Sequence, residues 1–337
     1  MRIAVDAMGG DSGVSVTVAG VAEFLRRYPD EAEIVLVGDR ERIARELDRA
    51  GGWSTRPEIE HASEEIGMRE EAAAASRRKR DSSISRGILL QKEGRADAFV
   101  SAGNTGAVVA TSLLNLGRLP GVRRPAIATY LPNERNGFVL LDIGATKECK
   151  PTDLVQFAHM GALFAERILK RENPRVGLLN IGEEEGKGND LVKEAHGLLG
   201  RAKLRFAGNV EPVGMFRGEV DVAVCDGFIG NLLLKFAEGL MEFAFESFRG
   251  DVSRGAASRV GALLLKPSFR RLKRQLSYED YGGAPLLGVD GTCMISHGRS
   301  SPLALANAIR SASRFVRYDI NGEIREKLQT WEEVTVE

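Results

Sequence analysis

Short apolar runs alternate with longer stretches of helical period along the first 116 residues. Runs at 3–5, 33–38, 58–62 and 96–100 predict strands; 14–28, 39–50, 72–94 and the stretch ending near 116 predict helices. Most of the runs are apolar throughout. That is the habit of strands buried on both faces, as in a parallel sheet covered by helices. Asp39 is placed to cap the second helix, and Asp81-Ser82-Ser83 offers a new cap after the basic run Arg77 to Arg80. The runs at 125–131 and 138–143 have only a turn sequence, 132–137, between them, which predicts an antiparallel excursion or small subdomain around 120–150. Strands follow at 176–181, 204–207, 220–225 and within 286–296, and helices at 152–170, 189–199, 230–249, 302–317 and from 321. The helix at 230–249 is apolar nearly all round its first turns and is expected to be buried. The fold class is α/β: three layers, α/β/α, with a mostly parallel central sheet, as one domain over 1–337.

One junction is organised for chemistry. The run Val222 to Cys225 ends at Asp226 and Gly227; Gly230 and Asn231 then precede Leu232, Leu233 and Leu234. Asn231 is expected to cap a helix there. The first N–H groups of a helix lack internal partners and favour negative charge, and glycine lets an anion approach the backbone. Gly-Asn recurs at Gly103-Asn104, Gly188-Asn189 and Gly208-Asn209, more often than random placement would give. Each pair lies near a predicted strand end, so the four are expected to converge on one site.

Composition narrows the partners. The 47 basic and 47 acidic residues cancel, which disfavours nucleic acid as the main partner. Cys149, Cys225 and Cys293 lack metal-ligand spacing and fit a reducing cytosol, so no metal and a cytoplasmic location are expected. The chain enters a strand at once, without a secretory leader, and has no run of 18 apolar residues. Charge is uneven in one place: 254–277 holds seven Lys or Arg and no acid. Leu265, Phe269 and Leu272 fall on one helical face, with Arg270, Arg271, Lys273 and Arg274 beside them, and Pro267 divides the stretch. A helical hairpin is expected, either solvated or docking an anionic membrane or acidic protein.

Several motifs fail. Gly182 to Gly188 has too few residues for a P-loop, lacks the Ser or Thr after Lys187, and puts three glutamates where phosphates would sit. No Gly-x-Gly-x-x-Gly follows the first strand, and there is no Gly-x-Ser-x-Gly. The four histidines are isolated in sequence. Cys225 or Cys149 could be nucleophilic only as a thiolate, and Cys225 ends a buried strand. Lys187 follows the strand at 176–181, at the carboxyl edge where open α/β sheets bind ligands.

These stretches together resemble the PlsX family, the phosphate acyltransferases (acyl-ACP:phosphate transacylases). The matching residues are Val5-Asp-Ala-Met-Gly-Gly-Asp11, Ser101-Ala-Gly-Asn-Thr-Gly-Ala107, Cys149-Lys-Pro151, Asn173-Pro-Arg-Val-Gly-Leu-Leu-Asn-Ile-Gly-Glu-Glu-Glu185, Lys187-Gly-Asn189, Gly208-Asn-Val210, Val224-Cys-Asp-Gly-Phe-Ile-Gly-Asn231 and Tyr281-Gly-Gly-Ala-Pro-Leu-Leu-Gly288. The resemblance implies a homodimer with a fold like isopropylmalate dehydrogenases and phosphotransacetylases. It implies transfer of an acyl group from acyl carrier protein to inorganic phosphate, without a cofactor, with the product passing to a membrane glycerol-3-phosphate acyltransferase. Lys187, Asn231 and Asp226 would be catalytic; Gly103, Asn104, Thr105, Asn189, Gly230, Asp6, Gly9 and Gly10 would bind phosphate or substrate. The chain departs from the family at Ser12-Gly13, at Arg69-Glu70 and at Thr146-Lys-Glu148. Three alternatives stay open: a transacylase using coenzyme A, a dehydrogenase on the same fold, and a non-catalytic lipid-binding regulator.

Overall fold

The computed structural model describes residues 1–53, 55–252 and 282–332, with Gly261, Leu265 and Pro267 between them. The first part of the chain is β1 (Arg2–Asp6), α1 (Gly13–Arg27), β2 (Glu33–Gly38), α2 (Arg40–Ala50), β3 (Glu58–His61), α3 (Ala72–Arg78), α4 (Ser83–Lys92), β4 (Ala98–Ser101) and α5 (Thr105–Asn115). Then come β5 (Ala126–Ile127), β6 (Thr129–Leu131), β7 (Phe138–Leu141), α6 (Pro151–Arg167), β8 (Val176–Leu179), α7 (Asp190–Leu199), β9 (Phe206–Val210), α8 (Pro212–Arg217), β10 (Val222–Val224) and α9 (Gly227–Val252). The last elements are β11 (Ala284–Leu287), β12 (Cys293–Ile295), α10 (Pro302–Arg317) and α11 (Ile320–Glu332).

The class is α/β with mostly parallel pairing, as the apolar runs predict, but the strands form two sheets in place of one central sheet. Seven strands run in the order β3-β2-β1-β4-β12-β11-β5, and five in the order β6-β7-β10-β8-β9. Ala128 is the joint. Before it, β5 pairs antiparallel with β11; after it, β6 pairs antiparallel with β7. The 120–150 stretch therefore feeds strands to both sheets. One apolar cluster nevertheless continues through both, from Ile3 and Leu36 by way of Phe157 to Val222 and Ile324.

Local signals act where they were read. Asp39 caps α2 by accepting from the Arg42 N–H at 2.8 Å. Ser82 caps α4 through the Ser85 N–H at 3.3 Å, which breaks the 72–94 stretch into two helices. The strand expected at 204–207 starts later and is followed by α8, a short helix opening on Pro212. The last strand is really an antiparallel pair, β11 and β12.

The buried fate expected for the 230–249 helix is wrong. α9 leaves Phe228, Leu232, Phe236, Leu240 and Phe243 exposed, with Phe243 at 67%. Their spacing of four, four, four and three puts them on one face. Among the described residues, nothing covers that face.

Helix α6 is the central helix and buries His159 among apolar neighbours. Burial, with help from the charge on Lys327, pushes the His159 pKa down to about 4 from 6.5. A lowered folded pKa means that the neutral ring stabilises the fold above pH 6.5, and that this stability is lost as pH falls towards 4. Linkage sets the full loss at about 3 kcal/mol. Urea midpoints measured from pH 7 to pH 4 should therefore fall more steeply for the natural protein than for His159→Gln. Parallel curves would show that His159 carries no such linkage.

Candidate active site

The site begins at the carboxyl ends of β1, β4 and β12, which are neighbours in the first sheet. β1 ends in Asp6, a buried carboxylate. Its oxygens accept from the N–H groups of Met8 at 3.0 Å and Gly9 at 3.2 Å, and from the Ser101 hydroxyl at 2.6 Å. Burial raises its pKa, while these donors act in the opposite direction. Ser101 in turn accepts from the Gly103 N–H. Gly9 must be glycine, because a Cβ there would lie 2.6 Å from both Asp6 Oδ2 and the Gly103 nitrogen. Asp6 thus ties two glycine loops together. Gly10 packs over Ala102 and the Gly298 carbonyl.

Asn104 caps α5 by accepting from the Ala107 N–H at 3.0 Å. Its amide nitrogen faces the carbonyls of Gly67, Met68 and Glu70. The side chain is therefore committed to structure. What the corner offers a ligand is the backbone ahead of Ala107, where Thr105 is exposed at the first helical position.

On the second sheet, β7, β10 and β8 are neighbours. β7 runs into Asp142, which the sequence reading missed. Its Oδ1 accepts from Ile127 N at 2.8 Å and from Gly144 N and Ala145 N at 3.0 Å; Oδ2 accepts from Thr146 N at 2.6 Å. The one signal was an acid ending the apolar run Phe138 to Leu141.

Beside it, Asp226 and not Asn231 caps α9. Its Oδ1 accepts from the N–H groups of Phe228 and Ile229, both at 2.9 Å. The cap lies five residues earlier than expected. Gly227 and Gly230 serve packing: a Cβ at Gly227 would lie 2.5 Å from Asp142 Oδ2, and one at Gly230 would overlap the Asp142 carbonyl oxygen. Asn231 stands one turn inside the helix, its side chain over Gly144. It starts a stripe, Asn231, Lys235, Glu238 and Glu242, spaced four, three and four beside the exposed apolar face.

That stripe reaches the first sheet. Glu238 lies 3.8 Å from His297 and Glu242 lies 3.7 Å from Arg299, in the loop after β12. The loop is held to the glycine loop by the Asp11 N–H, which donates to the Gly298 carbonyl at 2.8 Å. From Asp226 to Glu238 the helix spans roughly 18 Å. α9 thus bridges the two rims and forms one wall of the cleft between them.

Lys187 sits on the second rim in a loop held by its own backbone. Its N–H donates to Glu184 O at 3.0 Å, its carbonyl accepts from the Asn180 amide at 3.1 Å, and Glu184 O accepts from the Asn209 amide at 2.9 Å. The Lys187 side chain is exposed and forms no ion pair among the described residues. Next to it, Asn189 caps α7 through the Val192 N–H at 3.0 Å. So two of the four Gly-Asn corners, at Asn104 and Asn189, are caps. Asn209 is a loop tether, and Asn231 is a helix-interior residue.

The remaining predicted residues sort by place. Asp6, Gly9, Gly10, Gly103, Asn104 and Thr105 share the first rim; Lys187, Asn189, Asp226, Gly230 and Asn231 share the second. Leu265 is exposed, whereas Phe269, Arg270, Arg271, Leu272, Lys273 and Arg274 lie outside the described residues. Burial, together with the carboxylates of Asp142, Asp153 and Asp226, pushes the Cys149 thiol up to about 12. Burial and Asp226 raise Cys225 as well. Neither supplies a thiolate near neutral pH. No cluster of metal ligands occurs among the described residues.

Residues 1–322 match the family described as "Fatty acid synthesis protein". A phosphate acyltransferase of Heliobacterium modesticaldum is 48% identical over 329 residues, covering 97% of this chain and 98% of that one. One from Geobacter sulfurreducens is 43% identical over 330 residues, covering 98% and 95%. Among solved structures, a phosphotransacetylase from Streptococcus pyogenes superposes with a TM-score of 0.60 at 17% identity, over 94% of each chain. The EutD phosphotransacetylase of Staphylococcus aureus gives 0.59 at 18%, again over 94% of each. The architecture is therefore one shared with phosphotransacetylases, and by the match along its length this chain belongs to the fatty acid synthesis protein family, the family of the phosphate acyltransferases it resembles.

Proposed function

We propose that this protein is an acyltransferase that moves a fatty acyl group from the thioester of acyl carrier protein to inorganic phosphate. The carrying observation is the 48% identity to a phosphate acyltransferase over 97% of the chain. The cleft suits the chemistry. Phosphate would rest against the exposed start of α5 at Thr105, with Lys187 as its counter-charge. A phosphate oxygen attacks the thioester carbonyl, the carbon–sulfur bond breaks, and the proton of hydrogen phosphate ends on the released thiol. The protein positions the two reactants and stabilises the transient oxyanion. The raised thiol pKa values favour direct attack over an acyl-cysteine route.

The test is release of free thiol from acyl-ACP with and without phosphate, and the same with acyl-CoA. Phosphate-dependent release from the carrier substrate supports the reading. Preference for acyl-CoA would make the protein a coenzyme A transacylase, and no release with either would leave a lipid-binding regulator.

The protein acts as a homodimer in this reading, with the exposed face of α9 covered by a second copy. Phe236→Glu is expected to shift the dimer towards monomer in sedimentation velocity; a natural protein that stays monomeric at every concentration would remove the dimer. The basic stretch at 254–277 would meet the acidic carrier or the anionic membrane, where the acyl phosphate reaches the glycerol-3-phosphate acyltransferase. No helix among the described residues is long and apolar enough to cross a membrane. In this reading the attachment is peripheral and on the cytoplasmic side.

A further inference from the structure

A cavity of about 480 Å³ opens beside the last turn of α5, lined by Leu113, Gly117, Arg118, Arg124 and Pro125. Leu113 and Pro125 supply apolar surface, and the two exposed arginines supply charge. No carboxylate lines it. Two acids of the neighbourhood are already engaged. Asp153 pairs with Arg123 at 3.0 Å, and Asp290, whose N–H donates to the Gly117 carbonyl, pairs with Arg325 at 2.9 Å. Arg118 turns one guanidinium nitrogen to the Arg123 carbonyl. Neither Arg118 nor Arg124 forms an ion pair among the described residues. Two like charges therefore line one opening without a counter-charge from those residues.

The loop is built to hold them there. Gln156 of α6 accepts from the Arg123 N–H and donates to the Gly121 carbonyl, both at 2.9 Å. The Leu119 N–H donates to the Gly288 carbonyl at 3.0 Å, and Leu119 and Val122 are buried. Pro125 restricts Arg124 to extended backbone. The walls of the cavity also reach both rims of the cleft. α5 starts at Thr105 on the first rim and runs roughly 15 Å to Asn115. Between them Ala110 is half-buried and Leu114 exposed, so the helix surface stays open along the way. On the other side, the Pro125 carbonyl accepts from the hydroxyl of Thr146, in the loop of the second rim, at 2.8 Å.

Arginines grouped at an opening recognise a phosphate ester, because their planar forks match its oxygens. The acyl donor proposed above carries one. Its phosphopantetheine arm has a phosphodiester at the carrier end and the thioester sulfur at the other, and when extended it covers a span of the order of α5. We infer that Arg118 and Arg124 hold that phosphodiester, so that the arm lies along α5 and delivers the thioester to the first rim at Thr105. This rests on the acyl-transfer reading and gives its donor a binding site. No bond is made or broken at the cavity. A lipid headgroup presents the same diester, but the span to Thr105 and the ties to both rims favour the arm.

The experiment compares acyl-phosphopantetheine with acyl-pantetheine, which lacks only the phosphate, and sets acyl-ACP beside them. Thiol release is measured for the natural protein, for Arg124→Gln and for the double variant Arg118→Gln, Arg124→Gln, with thermal melts as the folding control. The natural protein should prefer the phosphorylated donor by about 10–100-fold, chiefly through KM, which is what a charge-assisted contact of this kind supplies. The double variant should lose that preference, and its KM for acyl-ACP should rise by the same factor while KM for inorganic phosphate stays unchanged. Arg124→Gln alone should lose part of it. A natural protein without the preference would overturn the assignment. So would a double variant that keeps it, or one that loses acyl-pantetheine turnover equally, since the arginines would then serve only the fold. Variants that keep the preference but no longer float with vesicles of anionic phospholipid would overturn it in favour of a lipid headgroup. Absence of phosphate-dependent release from every donor would strike the acyl-transfer reading, and this assignment with it.

Discussion

Lys187→Ala is expected to lower phosphate-dependent thiol release by about 10²–10³, with folding unaffected. The loop carrying Lys187 is fixed by three backbone contacts, two of them from the buried amides of Asn180 and Asn209. None involves the lysine side chain, which is exposed. Its removal should therefore change stability by less than about 0.5 kcal/mol. Its charge has work only once a phosphate dianion arrives. Glu183, Glu184 and Glu185 flank the same loop, so without the ammonium the rim would repel an anion. Lys187→Arg should recover part of the rate, because charge is kept while a compact donor is replaced by a planar fork. The measurement is kcat and KM for phosphate at fixed acyl-ACP, with circular dichroism as the folding control. Turnover within threefold of natural in the Ala variant would remove Lys187 from the mechanism.

The second large effect is on stability. Asp142→Ala leaves four N–H groups without their acceptor, two of them buried (Ile127 and Thr146) and two half-buried (Gly144 and Ala145). Each buried donor left unsatisfied costs about 1–3 kcal/mol, so even with water replacing some of the bonds the loss should reach at least about 3 kcal/mol. Against a total stability of about 5–15 kcal/mol that is a severe change. It should also disturb catalysis, because the same loop seats Gly227, Gly230 and Asn231 of α9. Asp142→Asn should be milder, since the amide keeps one accepting oxygen but turns an N–H towards another donor. Urea denaturation of the three proteins checks the order. An Ala variant within 1 kcal/mol of natural would show that the loop holds itself.

Much of the fold was readable one residue at a time. The caps at Asp39, Ser82, Asn104 and Asn189 each bond an N–H three residues ahead, so their whole cause lies within a few positions. The same window misled at α9. Asp226 and Asn231 are both of a residue type that caps helices, though only Asp226 does so here, and two glycines between them look like a turn. They are helical because the helix must lie against the Asp142 loop, a contact more than eighty residues away in sequence. Apolarity alone also could not tell whether the phenylalanines of α9 face a core.

The sequence by itself determined the class, the element types, most helix starts and the family, because these depend on period, local hydrogen bonds and long matching blocks. Only the tertiary structure decided that Ala128 divides the strands between two sheets, that Asp6 and Asp142 gather the N–H groups of their own loops, and that Glu238 of α9 lies 3.8 Å from His297 on the first rim. Each of those outcomes is a pairing between distant segments. Such pairings are chosen by which surfaces can be buried together and which buried polar groups can find partners, and a single stretch of chain carries neither piece of information.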